Sequence, residues 1–343
     1  VPTNAFELAL WMESDRMGFL LPALTDAKFQ NQRDVVLNER RQNYENRPYG
    51  LAPMAMLAAL FPADHPYHWT TIGEIEDLQT AALDEVQAFF RRYYHPANAS
   101  LALAGDIDAG QALALVRAYF GEIPPGPRVD PVRAEASLAR EARLSLEDRV
   151  ELPRLYLSWL TPAMFAPGDA ELDLAADILA NGKTSRLYRR LVFDERMATD
   201  VSAAQNSREI ASYLQISATA APGHTLAELE RAITEEIARL AESGPTDDEV
   251  DRGRVQTEAH FTFRLQTVGG FGGKSDQLNA YNVFLGNPGF FDQDLGRYQR
   301  ATKESLQTTV AALLDPARRV SLSVVPRGHL ELALPDSTPA VVS

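Results

Sequence analysis

The sequence predicts an α+β fold of two homologous units, each an antiparallel or mixed sheet packed against helices, with the first unit truncated at its N-terminus. Three observations point there. Helical and strand-like stretches recur in both halves of the 343-residue chain. A stretch with four prolines and two glycines, GEIPPGPRVDPVRAEA at 121–136, separates the halves. One pattern also occurs twice. Leu78-Gln79-Thr80 opens a helix that ends at His95-Pro96-Ala97, before a strand at Ser100-Leu101-Ala102-Leu103. Leu306-Gln307-Thr308 opens a shorter helix that ends at Asp315-Pro316-Ala317, before Ser321-Leu322-Ser323-Val324.

The elements follow in order. Residues 4–21 place Phe6, Leu10, Met17 and Leu21 at helical intervals, which predicts an amphipathic helix. Residues 26–46 run 21 positions without Pro or Gly and are rich in Arg, Gln and Glu. They read as a long polar helix that stops ahead of Pro48, because a proline disfavours helix in the residue before it. A helix over 78–94, a buried strand over 100–107 and a helix over 109–120 complete the first half. The second half opens with the apolar strand 154–162 and a helix over 169–180, then a turn at ANGKT and a helix over SRLYRRLVFDE. Residues 198–206 and 211–220 alternate as half-exposed strands do. Thr225 stands where an N-cap belongs, ahead of an amphipathic helix over 226–242. A helix over 247–267, a glycine cluster at 269–273, another helical stretch and a strand over 319–325 follow. The expected organisation is 1–122 for the C-terminal part of the first unit, 123–147 for a linker, 148–330 for the second unit and 331–343 for a linker-like tail.

Composition narrows the function classes. Lys and Arg number 33 against 47 Asp and Glu, a formal charge of −14. That balance argues against a nucleic-acid binder, which needs a basic face, and against docking on anionic membranes. No apolar run is long enough to span a bilayer. With no cysteine, disulfides, thiolate-held zinc and thiol catalysis are excluded.

Several local motifs read as structural. Gly182-Lys183-Thr184 and Gly273-Lys274-Ser275 imitate the end of a phosphate loop, but the required first glycine is Asp177 in one and Val268 in the other. Among six histidines, His65 and His68 sit three apart in a loop without a carboxylate at matching spacing, which favours packing. No GxSxG elbow occurs. The helix bearing Arg33, Glu39, Arg40, Arg41 and Glu45 reads on residue type alone as a solvated, salt-bridged face.

Longer phrases carry a resemblance. LALWMESDRMGFLLP (8–22), RDVVLNERRQNYENRPYG (33–50) and HPYHWTTIGEIEDLQ resemble the insulinase/pitrilysin family of zinc peptidases, closest in style to its mitochondrial-processing-peptidase-like branch. SRLYRRLVFDERMATDVSA, GPTDDEVDRGR and LQTVGGFGGKSDQLNAYNVFLGNP continue it through the second half. The resemblance implies paired α+β units, one catalytic and one inactive in type. It implies a zinc centre with two histidines and a general base from an HxxEH helix, and a third ligand, a glutamate, about 75 residues later. Glu39 matches that glutamate, with Gln32 and Glu45 as candidates to orient it. HxxEH is absent, so the expected metal set in this chain is Glu39 alone. The expectation is a fragment lacking about the first hundred residues of its first unit, inactive and zinc-free by itself, from a zinc endopeptidase. The family's substrate-contacting Arg and Tyr would align near 212–224, which holds Tyr213 and His224 but no arginine. The implied partners are a peptide substrate and a homodimeric or paired homologous subunit, with the bacterial periplasm as the preferred compartment. The alternative is a non-catalytic scaffold or substrate-binding subunit.

Overall fold

The computed structural model describes residues 1–342. In chain order the helices are α1 (Phe6–Ala23), α2 (Asp26–Arg40), α3 (Ala52–Leu60), α4 (Ile75–Thr80), α5 (Leu83–Tyr93), α6 (Ala109–Phe120), α7 (Asp169–Ala180), α8 (Leu226–Ser243), α9 (Asp247–Arg264), α10 (Lys274–Leu285), α11 (Phe291–Arg300) and α12 (Lys303–Leu313). The strands are β1 (Ala142–Asp148), β2 (Arg154–Thr161), β3 (Ala198–Asn206), β4 (Ser212–Ala220), β5 (Val320–Pro326) and β6 (Thr338–Pro339). The residues form two compact units, neither of them continuous in sequence. One takes Val1–Asn38, Ile75–Val132 and Ala259–Asp292; the other takes Glu39–Glu74, Arg133–Glu258 and the chain from Gln293.

The first unit is helical among the described residues. Helix α1 packs on α6. The Tyr119 hydroxyl donates to Glu7 at 2.8 Å, and Gly18 lets Ile123 approach to where a Cβ would meet it at 3.2 Å. Asp108 caps α6 by accepting from the Gln111 N–H at 2.8 Å. The stretch 100–107 corrects an expectation: it is not a strand, and Leu101 stands 48% exposed. An apolar run only permits a strand; a partner ladder makes one.

The second unit holds a six-stranded mixed sheet in the order β3-β4-β2-β5-β1-β6. Each neighbouring pair along β3, β4, β2 and β5 is antiparallel, while β1 lies parallel to both β5 and β6. Period-two alternation sorts the side chains. Leu155, Leu157, Trp159, Leu214, Ile216 and Ala218 face a core closed by α7, α8 and α12. Val320, Leu322 and Val324 face the opposite side, where α3 contributes Ala52, Met56 and Leu60. Strand β5 is thus covered on both faces, and Ser321 and Ser323 are buried along with its valines and leucine. Thr225 caps α8 as expected, within a capping box: Thr225 Oγ1 accepts from the Glu228 N–H at 3.2 Å, and Glu228 accepts from the Thr225 N–H at 2.7 Å.

Two boundaries differ from expectation. The linker read over 123–147 gives way at Ala142 to β1, and the tail read over 331–343 buries Leu334 and pairs Thr338 with Leu144. Both segments are short and charged or proline-bearing. Their order comes from β5, which supplies the ladder on which β1 and then β6 are built.

An acidic cluster ties α7 to α11. Asp169 accepts from the Phe165 N–H, the Ser207 hydroxyl and Arg297, while the Tyr298 hydroxyl donates to Asp173 at 2.7 Å. Burial pushes the Asp173 carboxyl up, the Tyr298 hydrogen bond opposes it, and Asp169 and Asp177 add to the rise, leaving it at about 7. A carboxyl raised in the folded state stabilises fully below its unfolded value, and that stability is lost as pH rises through about 7. Asp173→Asn therefore gains on the native protein between pH 5 and pH 8, by on the order of 2 kcal/mol. Thermal melts at the two pH values check this; a gap independent of pH would refute it.

Candidate functional site

The site read from the sequence lies at the end of α2. Gln32 and Glu39 are seven residues apart, so they share one helical face two turns from each other, and both are exposed. Arg33 fastens the preceding turn by donating to the carbonyls of Gln79 at 3.2 Å and Ala81 at 3.4 Å. After Arg40 the helix does not continue as α; Arg41–Glu45 form a single π turn. The long polar helix expected over 26–46 is therefore two pieces, and the change falls after Arg40, one residue past Glu39.

Arg40 explains the break. Its side chain is 2% exposed. The guanidinium donates to the Gly73 carbonyl at 3.2 Å and to Glu45 at 2.7 Å, lies 3.9 Å from Glu74, and approaches the Met54 sulfur at 3.5 Å. A planar fork satisfies several acceptors at once where an ammonium cannot. Glu45 is thereby committed to Arg40 and fixes the turn that follows Glu39. Read as a solvated charge run, this segment is instead half exposed carboxylate and half buried anchor.

The other sequence candidates lie elsewhere in the second unit. Tyr213 is on β4, half-buried, and burial holds its hydroxyl above the ordinary tyrosine range. His224 sits in the turn before α8, 3.6 Å from Glu228. An arginine from outside 212–224 does lie beside Tyr213: Arg208, on the β3–β4 connection, lies over both the Tyr67 ring at 5.1 Å and the Tyr213 ring at 5.2 Å. Only the hairpin closing β3 on β4 brings it there, so a search of the strand alone misses it. His65 is fully buried, stacked on Phe61 at 4.6 Å, and accepts from the Tyr67 N–H at 3.0 Å. Burial lowers its pKa, against a smaller opposing effect of Asp64. This is the packing role its loop context suggests.

Among the described residues, no three His, Cys, Asp or Glu side chains lie close enough to hold a metal ion. A zinc peptidase centre needs three protein ligands and an open position. The residues present thus do not close a zinc site. Among the described residues, no helix is long and apolar enough to cross a membrane.

Comparison with known proteins converges on one family. Residues 80–256 match the family described as peptidase M16 inactive domain. A protein of Helicobacter pylori named zinc protease PqqE is 26% identical over 266 residues, 76% of this chain and 59% of that protein. A zinc protease of Mycobacterium leprae is 28% identical over 221 residues, 64% of this chain and 49% of its own length. The chain thus spans 59% and 49% of the length of these two relatives. The crystal structure of a protease from Helicobacter pylori superposes with a TM-score of 0.84 at 21% identity, covering 95% of this chain and 78% of that one. The first half of the periplasmic protease PqqL from Escherichia coli gives 0.74 at 16%, covering 97% and 73%. At these identities the structures establish the α+β fold.

Proposed function

This chain belongs to the peptidase M16 family, and from that premise we propose that it is part of a longer zinc endopeptidase in which Glu39 is the third metal ligand. One observation carries the reading. Glu39 is an exposed carboxylate on a helix whose next residue is a buried, multiply bonded arginine, so its backbone position is fixed while its side chain stays free to coordinate. Gln32, on the same face, and Glu45, through Arg40, are its orienting residues. The two histidines and the base come from outside these residues, so this chain alone holds no zinc and cleaves nothing. The relatives' names as zinc proteases support the metal.

The substrate is an extended peptide, which adds to a sheet edge by main-chain hydrogen bonds. Tyr213, with Arg208 stacked beside it, and His224 mark the part of the second unit that faces it. The partner is a paired homologous subunit or half. The similar Escherichia coli protease PqqL is a periplasmic one, which favours that compartment. A second reading, a non-catalytic scaffold subunit, draws on the matched family's description as an inactive domain.

Zinc content and cleavage of an unfolded peptide separate the two. The longer natural polypeptide binds one zinc per chain and cleaves, the 343-residue chain does neither, and Glu39→Gln in the longer form lowers both by more than about a hundredfold. A longer polypeptide without zinc leaves the scaffold reading standing.

A further inference from the structure

The outermost pairing of the sheet is its slightest. Strand β6 sets only Thr338 and Pro339 against Leu144 and Ser145, although β1 runs from Ala142 to Asp148. The Ala340 N–H donates to the Ser145 carbonyl at 2.8 Å, and the Thr338 hydroxyl donates to the Arg143 carbonyl at 3.3 Å. Ala340 and Val342 pack on the same apolar cluster as Ala142, Leu144 and Leu146, while Val341 between them is 87% exposed. That is the alternation of a strand laid along an apolar edge.

The chain just upstream is held more firmly. Leu334 is buried, and its N–H donates to Ser323 Oγ at 3.0 Å. Only Pro335, Asp336 and Ser337 lie between this anchor and β6. Pro335 and Asp336 are exposed. Asp336 takes the left-handed conformation, with φ at +60°, which costs energy in a residue that carries a Cβ. Ser337 Oγ is enclosed and has no hydrogen-bond partner among the described residues. Both costs belong to the connection that folds the tail back onto its own β1. Neither belongs to the contacts between the tail and the edge.

A firm anchor, a short strained connection and a lightly paired end segment together favour segment exchange. Every contact of the tail with β1 is equally available from an identical chain, and only the connection differs. From this we infer that the outer edge of β1 is a docking surface for the tail of a second copy of this chain, residues 338–342 of each lying on the β1 of the other. The exchanged pair keeps the register of Thr338 on Leu144 and the bond from Ala340 to Ser145. It releases Asp336 from the left-handed region and Ser337 from its enclosure. It also leaves neither β1 edge bare, which matters because an unpaired edge invites wrong partners. The inference goes beyond the peptidase reading and needs neither zinc nor residues outside this chain.

The lack of cysteine makes the test direct. One preparation carries Leu144→Cys and the other Thr338→Cys, register partners on paired strands and so within reach of a disulfide. The two are unfolded, mixed, refolded at high protein concentration and oxidised. The expected product is a disulfide-linked dimer with one chain of each kind. It is absent when either variant is refolded alone, and it falls when the mixture is diluted about tenfold before oxidation. Asp336→Gly, which removes the cost of the closed connection, lowers the yield by at least about twofold. A folded mixture that gives no mixed dimer overturns the inference. Sedimentation of the unsubstituted chain, with and without residues 335–343, decides the matter if either cysteine variant fails to refold. A dimer that disappears with the tail supports the exchange. A dimer that survives without the tail, or no dimer in either protein, overturns it. None of these readouts involves metal or cleavage, so the peptidase proposal stands or falls separately.

Discussion

Replacing Arg40 with alanine is expected to destabilise the second unit by about 3–5 kcal/mol, the range for removing one partner of a buried ion pair. The side chain is almost wholly enclosed, and its loss leaves the Gly73 carbonyl without its donor and Glu45 without its cation. Glu45 is 31% exposed and recovers part of its hydration, which puts the expected value in the lower half of that range. Arg40→Lys recovers little, since one ammonium cannot reach both the carbonyl and the carboxylate in this geometry. Urea denaturation of the three proteins measures the effect. A loss below about 1 kcal/mol for Arg40→Ala would show that the anchor contributes no more than a surface pair does.

A second loss of about 3–5 kcal/mol is expected for Arg319→Ala. Arg319 is 4% exposed and donates to Glu141 at 2.8 Å, to Thr234 at 3.1 Å and to Glu230. Arg143 binds the same two carboxylates, at 2.9 Å and 2.7 Å. Two arginines and two glutamates balance; one arginine leaves a buried excess of negative charge. The pH dependence identifies this cause. Burial pulls the Glu141 pKa up, but the hydrogen bonds from Arg319, Ser321 and Arg143 together outweigh it and leave the carboxyl below its ordinary value. A depressed carboxylate contributes stability that is present above its unfolded pKa of 4.5 and lost as pH falls through the folded value. The gap between native and Arg319→Ala proteins therefore narrows as the pH is taken below about 4.5. A gap that is the same at pH 7 and pH 4 would mean that lost packing against Trp159, not charge, is the cause.

Much of the second unit was legible from local pattern. Thr225 announces α8, and the apolar run over 154–162 marks β2, because these signals depend on neighbours close in sequence. What failed depended on distant partners. Strand β1 is a charged, seven-residue stretch that becomes a strand through β5, and SLALAGDI opens on an apolar run without a ladder to join. The candidate site divides the same way. Glu39 is a candidate through the phrase around it alone. The burial of Arg40 was not legible, since one of its acceptors, Gly73, comes from another segment 33 positions on. The stacking of Arg208 on Tyr213 was hidden for the same reason: the β3–β4 hairpin creates it.

The parallel pairing of β1 with β5 has a consequence for synthesis on the ribosome. Val320, the partner of Ala142, is added about 180 residues after it. At about 5–20 residues per second, β1 waits on the order of 10–35 s after leaving the tunnel before its neighbour exists. Strand β6 comes later still, so throughout that interval both edges of β1 are open. The charges at Arg143, Glu147 and Asp148 are then the nascent chain's own protection against pairing with the wrong strand.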